Sequence, residues 1–299
     1  VTGLLASVSV DLDGLGCYAA IHGLTAQVQL DDAALRAVPE VAVSRLGALF
    51  AGLGIRATFF VIGRELEIST REIKAAAAAG HEIASHSYAH DYAISRRPPA
   101  EIDRDLALAE DAIFAAVGAR PRGFRAPGYT LSTALLEVIA ARGYRYDSSL
   151  LPSPVYYAAK ALAMGAHALF GRRSHSILGA PGQLFAQRRP HLRAGVRELP
   201  VATLPLLRLP VIGTVAVGVE PAISTALARR AFAGGHFNLE LHGIDALDAS
   251  DAPMLARVQP GLRTKAALKL ERLRALIVSV QERAAVVTLE EAAEQLWAG

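Results

Sequence analysis

The chain has 299 residues, 52% of them hydrophobic, with 31 basic and 28 acidic side chains and a formal net charge of +3. That length and apolar content suit one large α/β domain, or two smaller ones, with a sizeable core. So small a charge excess, with no dense Lys/Arg tract interleaved with aromatics, argues against a nucleic-acid partner.

Leu4 to Val10 is an apolar run with β-branched members, ended by Gly14 and Gly16, and reads as a buried strand. It delivers Asp11 and Asp13, which two residues apart in an extended segment project to the same side. Two like charges that close need a cation or a proton between them. Two readings follow: a metal with one carboxylate as ligand and the other as base, or a plain strand-end turn. Cys17, the single cysteine, excludes a disulfide framework; it is a thiol ligand for the same ion or a small buried apolar residue. No basic n-region followed by an apolar h-region precedes the strand. The expectation is a protein that is cytoplasmic or peripheral to the inner membrane, or one whose leader has been removed.

A polar, irregular segment leads to a helical pattern over about Val38 to Leu53, then to a strand over Ala57–Ile62. A helix over about Ser69 to Ala79 precedes a strand at His81–Ser85. The loop after it carries His86-Ser87-Tyr88-Ala89-His90. Helices over about Ala100–Val117 and Ser132–Arg142 flank Phe124-Arg125-Ala126-Pro127-Gly128-Tyr129, and a strand at Tyr144–Ser148 follows. Alternation at this spacing argues for parallel βα units.

The rhythm breaks at Leu151. From there to Arg197 no acidic residue occurs, while Lys160, Arg172, Arg173, Arg188, Arg189, Arg193 and Arg197 are all basic. Val155 to Gly171 reads as an Ala-rich helix with Lys160 and His167, seven apart, on one side. This basic, apolar insertion caps the barrel or forms a dimer surface in one reading. In the other, residues 151–197 make a peripheral membrane contact or a pocket for an anionic, lipid-phosphate substrate. A strand at Val211–Val219, a helix at Pro221–Phe232 and a strand at His236–His242 resume the pattern. A helix at Lys265–Val280, a strand at Ala285–Leu289 and a short helix close it. No stretch reaches the roughly 18 unbroken apolar residues of a spanning helix. With no internal repeat or linker, residues 1–299 read as a single domain with an insertion at about 151–210.

His86 and His90, four apart, can present two imidazoles to one ion. With Asp11 and Asp13 they supply two nitrogens and a carboxylate oxygen, and leave positions open for water and substrate. The remaining histidines (His22, His81, His167, His175, His191 and His236) lack a partner at ligand spacing. Tyr18 and Phe60 read as core or pocket wall.

Five segments occur in one order: Ser9-Val10-Asp11-Leu12-Asp13-Gly14, His86-Ser87-Tyr88-Ala89-His90, Arg125-Ala126-Pro127-Gly128-Tyr129, Tyr146-Asp147-Ser148-Ser149 and Leu239-Glu240-Leu241-His242. In this the chain resembles the polysaccharide deacetylase family, the NodB-homology group or carbohydrate esterase family 4. The likeness covers most of Leu4 to Asp147 and resumes at about Phe237 to Asp245. It implies an α/β fold, a distorted (β/α) barrel with fewer than eight regular units, and a metal-dependent amide hydrolase. By position, Asp11 matches the catalytic base, and Asp13, His86 and His90 match the ligands of one divalent ion, zinc first, with cobalt or nickel as alternatives. Arg125 matches the residue that pairs with the base, and His242 the general acid. Asp147 matches the aspartate that tunes that acid; its other reading is a helix or turn cap. The oxyanion donor aligns with Gly128, with Tyr129 as the aromatic of that loop.

The Asp-x-Asp spacing departs from the commoner Thr-Phe-Asp-Asp-Gly form. It resembles the branch with peptidoglycan deacetylases and cyclic imidases. The family's usual Trp after Asp147 is absent, with Leu150 and Leu151 nearby, so the substrate wall is expected to differ. The leading function is removal of an N-acetyl group from an amino sugar in a glycan, a glycolipid or a lipid-linked precursor. The runner-up is hydrolysis of a small cyclic amide or imide, and a third reading is a non-catalytic binding protein of the same fold. The oligomeric state stays open.

Overall fold

Strand and helix alternate as expected in the computed structural model, which describes residues 3–169, 171, 172 and 174–298. The first half runs β1 (Leu5–Asp11), α1 (Leu15–Ile21), α2 (Asp32–Arg36), α3 (Val43–Ala51), β2 (Thr58–Val61), α4 (Arg71–Ala78), β3 (Glu82–Ser85), α5 (Pro99–Val117), β4 (Gly123–Phe124), α6 (Thr133–Ala141) and β5 (Tyr146–Asp147). The second half runs α7 (Pro154–Leu169), β6 (His191–Arg193), β7 (Val196–Glu198), α8 (Gly213–Ala216), α9 (Pro221–Ala231), β8 (His236–His242), α10 (Ala266–Gln281), β9 (Ala285–Val286) and α11 (Leu289–Leu296). Arg173, one of the basic residues noted in the insertion, lies outside the described residues.

Among the described residues nine strands form one sheet in the order β6-β7-β5-β4-β3-β2-β1-β8, with β9 also paired to β1. Its ladders are parallel except that of β6 with β7. β1 and β8 run in step for their whole length, from Leu5 opposite His236 to Asp11 opposite His242. Past β7 the chain turns back toward β8. Leu199 N donates to Asp147 O at 2.9 Å, Val201 N to Leu150 O at 2.8 Å, and Ala202 N to Asn238 O at 3.0 Å. The sheet thus curls into a distorted (β/α) barrel whose last gap is crossed by single hydrogen bonds rather than by a ladder.

Both central strands alternate, as a period of two requires. Ala6, Val8 and Val10 of β1, with Phe237, Leu239 and Leu241 of β8, face the helices and join the main core with Leu46, Phe50 and Leu276. The opposite row, Ser7, Ser9 and Asp11 with His236, Asn238, Glu240 and His242, is turned into the barrel. Buried polar groups are costly unless paired, and these pair with one another. Ser7 Oγ lies 3.1 Å from His236 Nε2, and Ser9 Oγ donates to Asn238 Oδ1 at 3.0 Å. α11 plugs the end away from the strand C-termini, where Leu289 and Ala293 meet Phe60, Ala84 and Tyr146. Thr288 and Glu291 form a reciprocal N-terminal cap there.

Several expected elements are corrected. The segment after Asp13 holds α1 and α2 rather than irregular chain. The expected helix over Val38–Leu53 begins as a wide π-turn at Ala37–Ala42, which accommodates Pro39 and its missing N–H, before α3 continues. Val211–Val219 is not a strand. Its centre is α8, whose Gly213 presses on β8 so closely that a Cβ would meet Leu241 Cδ2 at 2.7 Å. A short apolar run cannot be assigned to strand or helix by periodicity alone. The insertion also ends sooner than residue 210, because β7 pairs in parallel with β5 as part of the barrel.

Candidate functional site

Asp11 is the last residue of β1 and Asp13 follows two positions on, so both carboxylates emerge where the parallel strands end. Gly14 leaves room for the Glu65 carboxyl, whose Oε1 would stand 2.3 Å from a Cβ placed there. Burial, and then the Asp13 charge, push the Glu65 carboxyl up to about 8, so it fills that space mostly uncharged at neutral pH.

β3 supplies His86, and the loop behind it curls through two left-handed residues, Ser87 (φ 65°) and His90 (φ 51°). Such backbone costs on the order of 1 kcal/mol per residue and persists only where its surroundings impose it. Here the Asp105 carboxylate accepts from Tyr88 N at 2.8 Å and Ala89 N at 3.0 Å, and Ser87 Oγ accepts from His90 N at 3.0 Å. The curl brings His86 Nε2 to 3.3 Å and His90 Nε2 to 3.1 Å from Asp13 Oδ1. The donor atoms of the three residues lie within 4.8 Å of one another.

His86 Nδ1 lies 2.7 Å from Arg125 O. A carbonyl only accepts, so Nδ1 carries hydrogen and Nε2 of the neutral ring offers its lone pair. Asp13 Oδ1 and His90 Nε2 are buried without a hydrogen-bond partner despite their proximity. Facing acceptors this close need a cation or a proton between them. A divalent ion fits this donor set of two imidazoles and one carboxylate. Burial opposes the Asp13 charge, but His90 and His86 outweigh it and hold Asp13 well below the usual carboxylate range. For His86 burial likewise opposes the charge, and Asp11 and Asp13 overcome it and raise its pKa.

Asp11 is compensated differently. Arg125, itself fully buried, donates from Nη1 to Asp11 Oδ1 at 2.6 Å. Its Nε donates to Ser148 O at 2.8 Å, and Nη2 to Ser9 Oγ at 2.9 Å and Ser148 Oγ at 2.8 Å. The guanidinium carbon also stands 4.2 Å from the centre of the Phe60 ring. A planar cation held on this many sides is locked in orientation. The free Asp11 Oδ2 is left 3.9 Å from His86 Nε2.

Across the pocket, His242 Nδ1 lies 2.8 Å from Oε1 of the fully buried Glu240. Sequence reasoning gave Glu240 no role, although the inward row His236, Asn238, Glu240, His242 is the signal that could have found it. Burial disfavours both charges. The His242 imidazolium overcomes it and lowers the Glu240 pKa; Glu240, with Asp13 and Asp11 behind it, raises the His242 pKa well above the ordinary imidazole value. Asp11, Glu240 and His242 also have donor atoms within 4.8 Å of one another.

Asp147 is not brought to His242; Glu240 occupies that position. Asp147 Oδ1 accepts from Ser149 Oγ at 2.6 Å, and that hydroxyl accepts from Ala126 N at 2.7 Å. Asp147 thereby braces the segment after β4 that carries Arg125. Its neighbour in the ladder is the buried Glu198. Burial raises both carboxyls, and the Asp147 charge raises Glu198 further.

In the loop after Arg125, Tyr129 N is engaged with Ala126 O at 3.1 Å, and no acceptor for Gly128 N is found among the described residues. Gly128, at φ 65°, is therefore the one with an N–H to offer. Leu150 and Leu151 are fully buried in two separate apolar clusters. Aromatic rings gather nearby: that of Tyr92 has its centre 4.9 Å from that of His90, and Tyr129 packs against Tyr156 at 5.6 Å. The buried hydroxyls of Tyr18, Tyr92 and Tyr129 have no hydrogen-bond partner. A cavity of about 340 Å³ opens beside His90, lined also by Cys17, Arg64, Tyr92 and His175. Cys17 is buried, its thiol kept protonated by burial, and it stands outside the ligand group.

Residues 30–146 match the polysaccharide deacetylase family model. Over 112 residues the chain is 33% identical to a peptidoglycan deacetylase of Helicobacter pylori, covering 38% of each chain. Over 148 residues it is 31% identical to a peptidoglycan deacetylase-like protein of Gibberella zeae, covering 48% of this chain and 43% of the relative. The matches thus span about two fifths of these curated relatives' own length. A crystal structure of a provisionally assigned polysaccharide deacetylase from Mycobacterium smegmatis shares the fold, with a TM-score of 0.66 and 20% identity over 100% of this chain and 92% of that one. Together these support a place for residues 30–146 among polysaccharide deacetylases of the NodB-homology, carbohydrate esterase family 4 group, and the whole chain shares the fold of the Mycobacterium smegmatis structure.

Replacing Glu240 with Gln removes the carboxylate that keeps the His242 imidazolium charged. Followed by NMR against pH, the His242 ring should then titrate at a lower pH than in the wild-type protein. An unchanged or higher midpoint would assign its charge to another group.

Proposed function

We propose that this chain is a metal-dependent hydrolase that removes the N-acetyl group from an amino sugar. The observation that carries the reading is the unequal treatment of two neighbouring carboxylates: Asp13 faces His86 and His90 as an orphaned acceptor, whereas Asp11 is clamped by Arg125. The names of the peptidoglycan deacetylases it resembles support an N-acetylated sugar as substrate. An ion on Asp13, His86 and His90, zinc first by its donor set and cobalt or nickel next, supplies Lewis-acid polarisation of the acetyl carbonyl and an acidic bound water.

The chain's own residues do the rest. Arg125 fixes Asp11 through one carboxylate oxygen, so its free oxygen can take a proton from the attacking water. Gly128 N–H meets the oxyanion that forms at the carbonyl oxygen. His242, held protonated by Glu240, gives its proton to the departing amine as the carbon–nitrogen bond breaks. Acetate and the free amino sugar are the products, and Glu240 is a positioning residue. The Tyr92 ring beside His90, at the edge of the cavity, favours a sugar ring over a small cyclic imide.

In the same reading the enzyme works on a membrane-borne glycolipid or lipid-linked precursor. No helix among the described residues is long and apolar enough to cross a membrane. A surface contact is supported by the loop between Thr203 and Pro210, where Leu206 and Leu207 are 93% and 68% exposed. The exposed Phe185 lies beside it under the Arg208 guanidinium, at 5.8 Å. An apolar tip with basic neighbours suits an anionic bilayer surface.

Metal-loaded protein should release acetate from N-acetylglucosamine oligomers, and Asp11→Asn should lower kcat by about 10²–10⁴. No release from any N-acetylated sugar would refute the reading, and ring opening of small imides would select its rival. In co-sedimentation with vesicles rich in anionic phospholipid, a Leu206→Ser, Leu207→Ser double variant should pellet less than wild type. Equal pelleting would remove this tip as the membrane contact.

A further inference from the structure

We infer that Lys160 forms a subsite for an anionic group, a carboxylate or a phosphate ester, on the sugar being deacetylated; this rests on the deacetylase reading above. Lys160 belongs to α7, in the insertion, and reaches back to the rim of the candidate metal pocket. Its Nζ donates to Gly128 O at 3.2 Å. A Cβ placed on Gly128 would stand 3.4 Å from that Nζ and 2.7 Å from Tyr92 Cδ1. The Tyr92 ring in turn lies 4.9 Å from that of His90. One aromatic ring therefore separates the ammonium from a candidate metal ligand. Tyr156, one helical turn before Lys160, completes the rim at 6.0 Å from Nζ.

Three features distinguish this amine from a solvated surface lysine. It has no acidic partner: no ion pair involving Lys160 is found among the described residues, and Leu151 to Arg197 contains no Asp or Glu. It carries three donors, yet its one hydrogen bond among the described residues goes to a neutral carbonyl. Burial also works against its charge and brings its pKa down to about 8, with no carboxylate offsetting the loss. At neutral pH the group is still mostly charged. An unpaired, partly desolvated cation costs free energy, and an anionic substituent entering from the pocket offsets that cost. Lys160 has reach on a flexible stem and suits a single anionic oxygen approached as a point charge.

The competing role is a strut that holds the Gly128 turn through its carbonyl. Lys160→Gln separates the two, because an amide can still donate to Gly128 O and carries no charge. With metal-loaded protein, kcat/KM for acetate release is compared on a neutral N-acetylglucosamine oligomer, on N-acetylglucosamine 1-phosphate and on a glycan containing N-acetylmuramic acid. The ratio of anionic to neutral substrate should fall about tenfold or more in Lys160→Gln, mainly through KM. The anionic probe that shows the fall identifies phosphate or carboxylate as the group recognised. An unchanged ratio for both probes overturns the subsite and leaves the strut. Binding of the two anionic probes to the metal-loaded protein, measured by calorimetry, reads the subsite without turnover. Weaker binding in the variant with no acetate release anywhere would keep the subsite and refute the deacetylase reading. Equal binding by both proteins would overturn the subsite itself.

Discussion

Two carboxylates, Asp11 and Asp13, sit two residues apart at the end of one strand, 2% and 6% exposed, and the barrel must make their proximity tolerable. It does so with two different cations. Asp11 receives a fixed one, a buried guanidinium tied to four acceptors and stacked on Phe60. Asp13 faces His86 Nε2 at 3.3 Å and His90 Nε2 at 3.1 Å, an arrangement that suits an exchangeable ion or a proton between them. A buried carboxylate with an Arg partner is compensated permanently, and one left among imidazoles is a ligand in waiting. The chemistry follows from that difference.

The inward faces of the strands are shaped by the same constraint. A barrel lined with Val and Leu could not hold Arg125, so Ser9, Ser148 and Asn238 supply hydroxyls and an amide where apolar side chains would otherwise pack. Asn238 donates to Ser148 Oγ at 3.0 Å and to Leu199 O at 3.2 Å, which links the clamp to the crossing point of the barrel. The insertion is joined to the same pocket. Tyr157 donates its hydroxyl to Tyr129 O at 3.2 Å, His175 N donates to Ala20 O at 3.2 Å, and His167 packs edge-on against His22. Lys160 and His167, on one side of α7 as their spacing requires, both face the barrel. The segment that interrupts the regular βα rhythm is thus a wall of the site.

Much of this was legible in the residues. Motifs at strand ends bring together Asp11, Asp13, His86, His90, Arg125 and His242, because a parallel sheet gathers its C-terminal loops at one pole. Less legible was whatever depends on which way a side chain turns inside the barrel. Glu240 lies within a recognised motif but reads as filler until β8 is seen as an alternating strand. Asp147 occupies a motif position, and the pleat directs it to Ser149 and Glu198 instead of His242. The strand expected at Val211–Val219 failed for a related reason: a run of β-branched residues looks extended, while the close approach of Gly213 to β8 demands a turn of helix. The aromatic residues near the site, Tyr92, Tyr129 and Tyr156, come from three separate segments, so no single motif displays them.

The central claim, that the two carboxylates are not interchangeable, is tested most directly by titrating metal-stripped protein with Zn²⁺ in a calorimeter. Wild type should bind one ion per chain, Asp13→Asn should lose that binding, and Asp11→Asn should keep it. Loss of the ion in Asp11→Asn to the same degree as in Asp13→Asn would contradict the assignment of one carboxylate as ligand and the other as base.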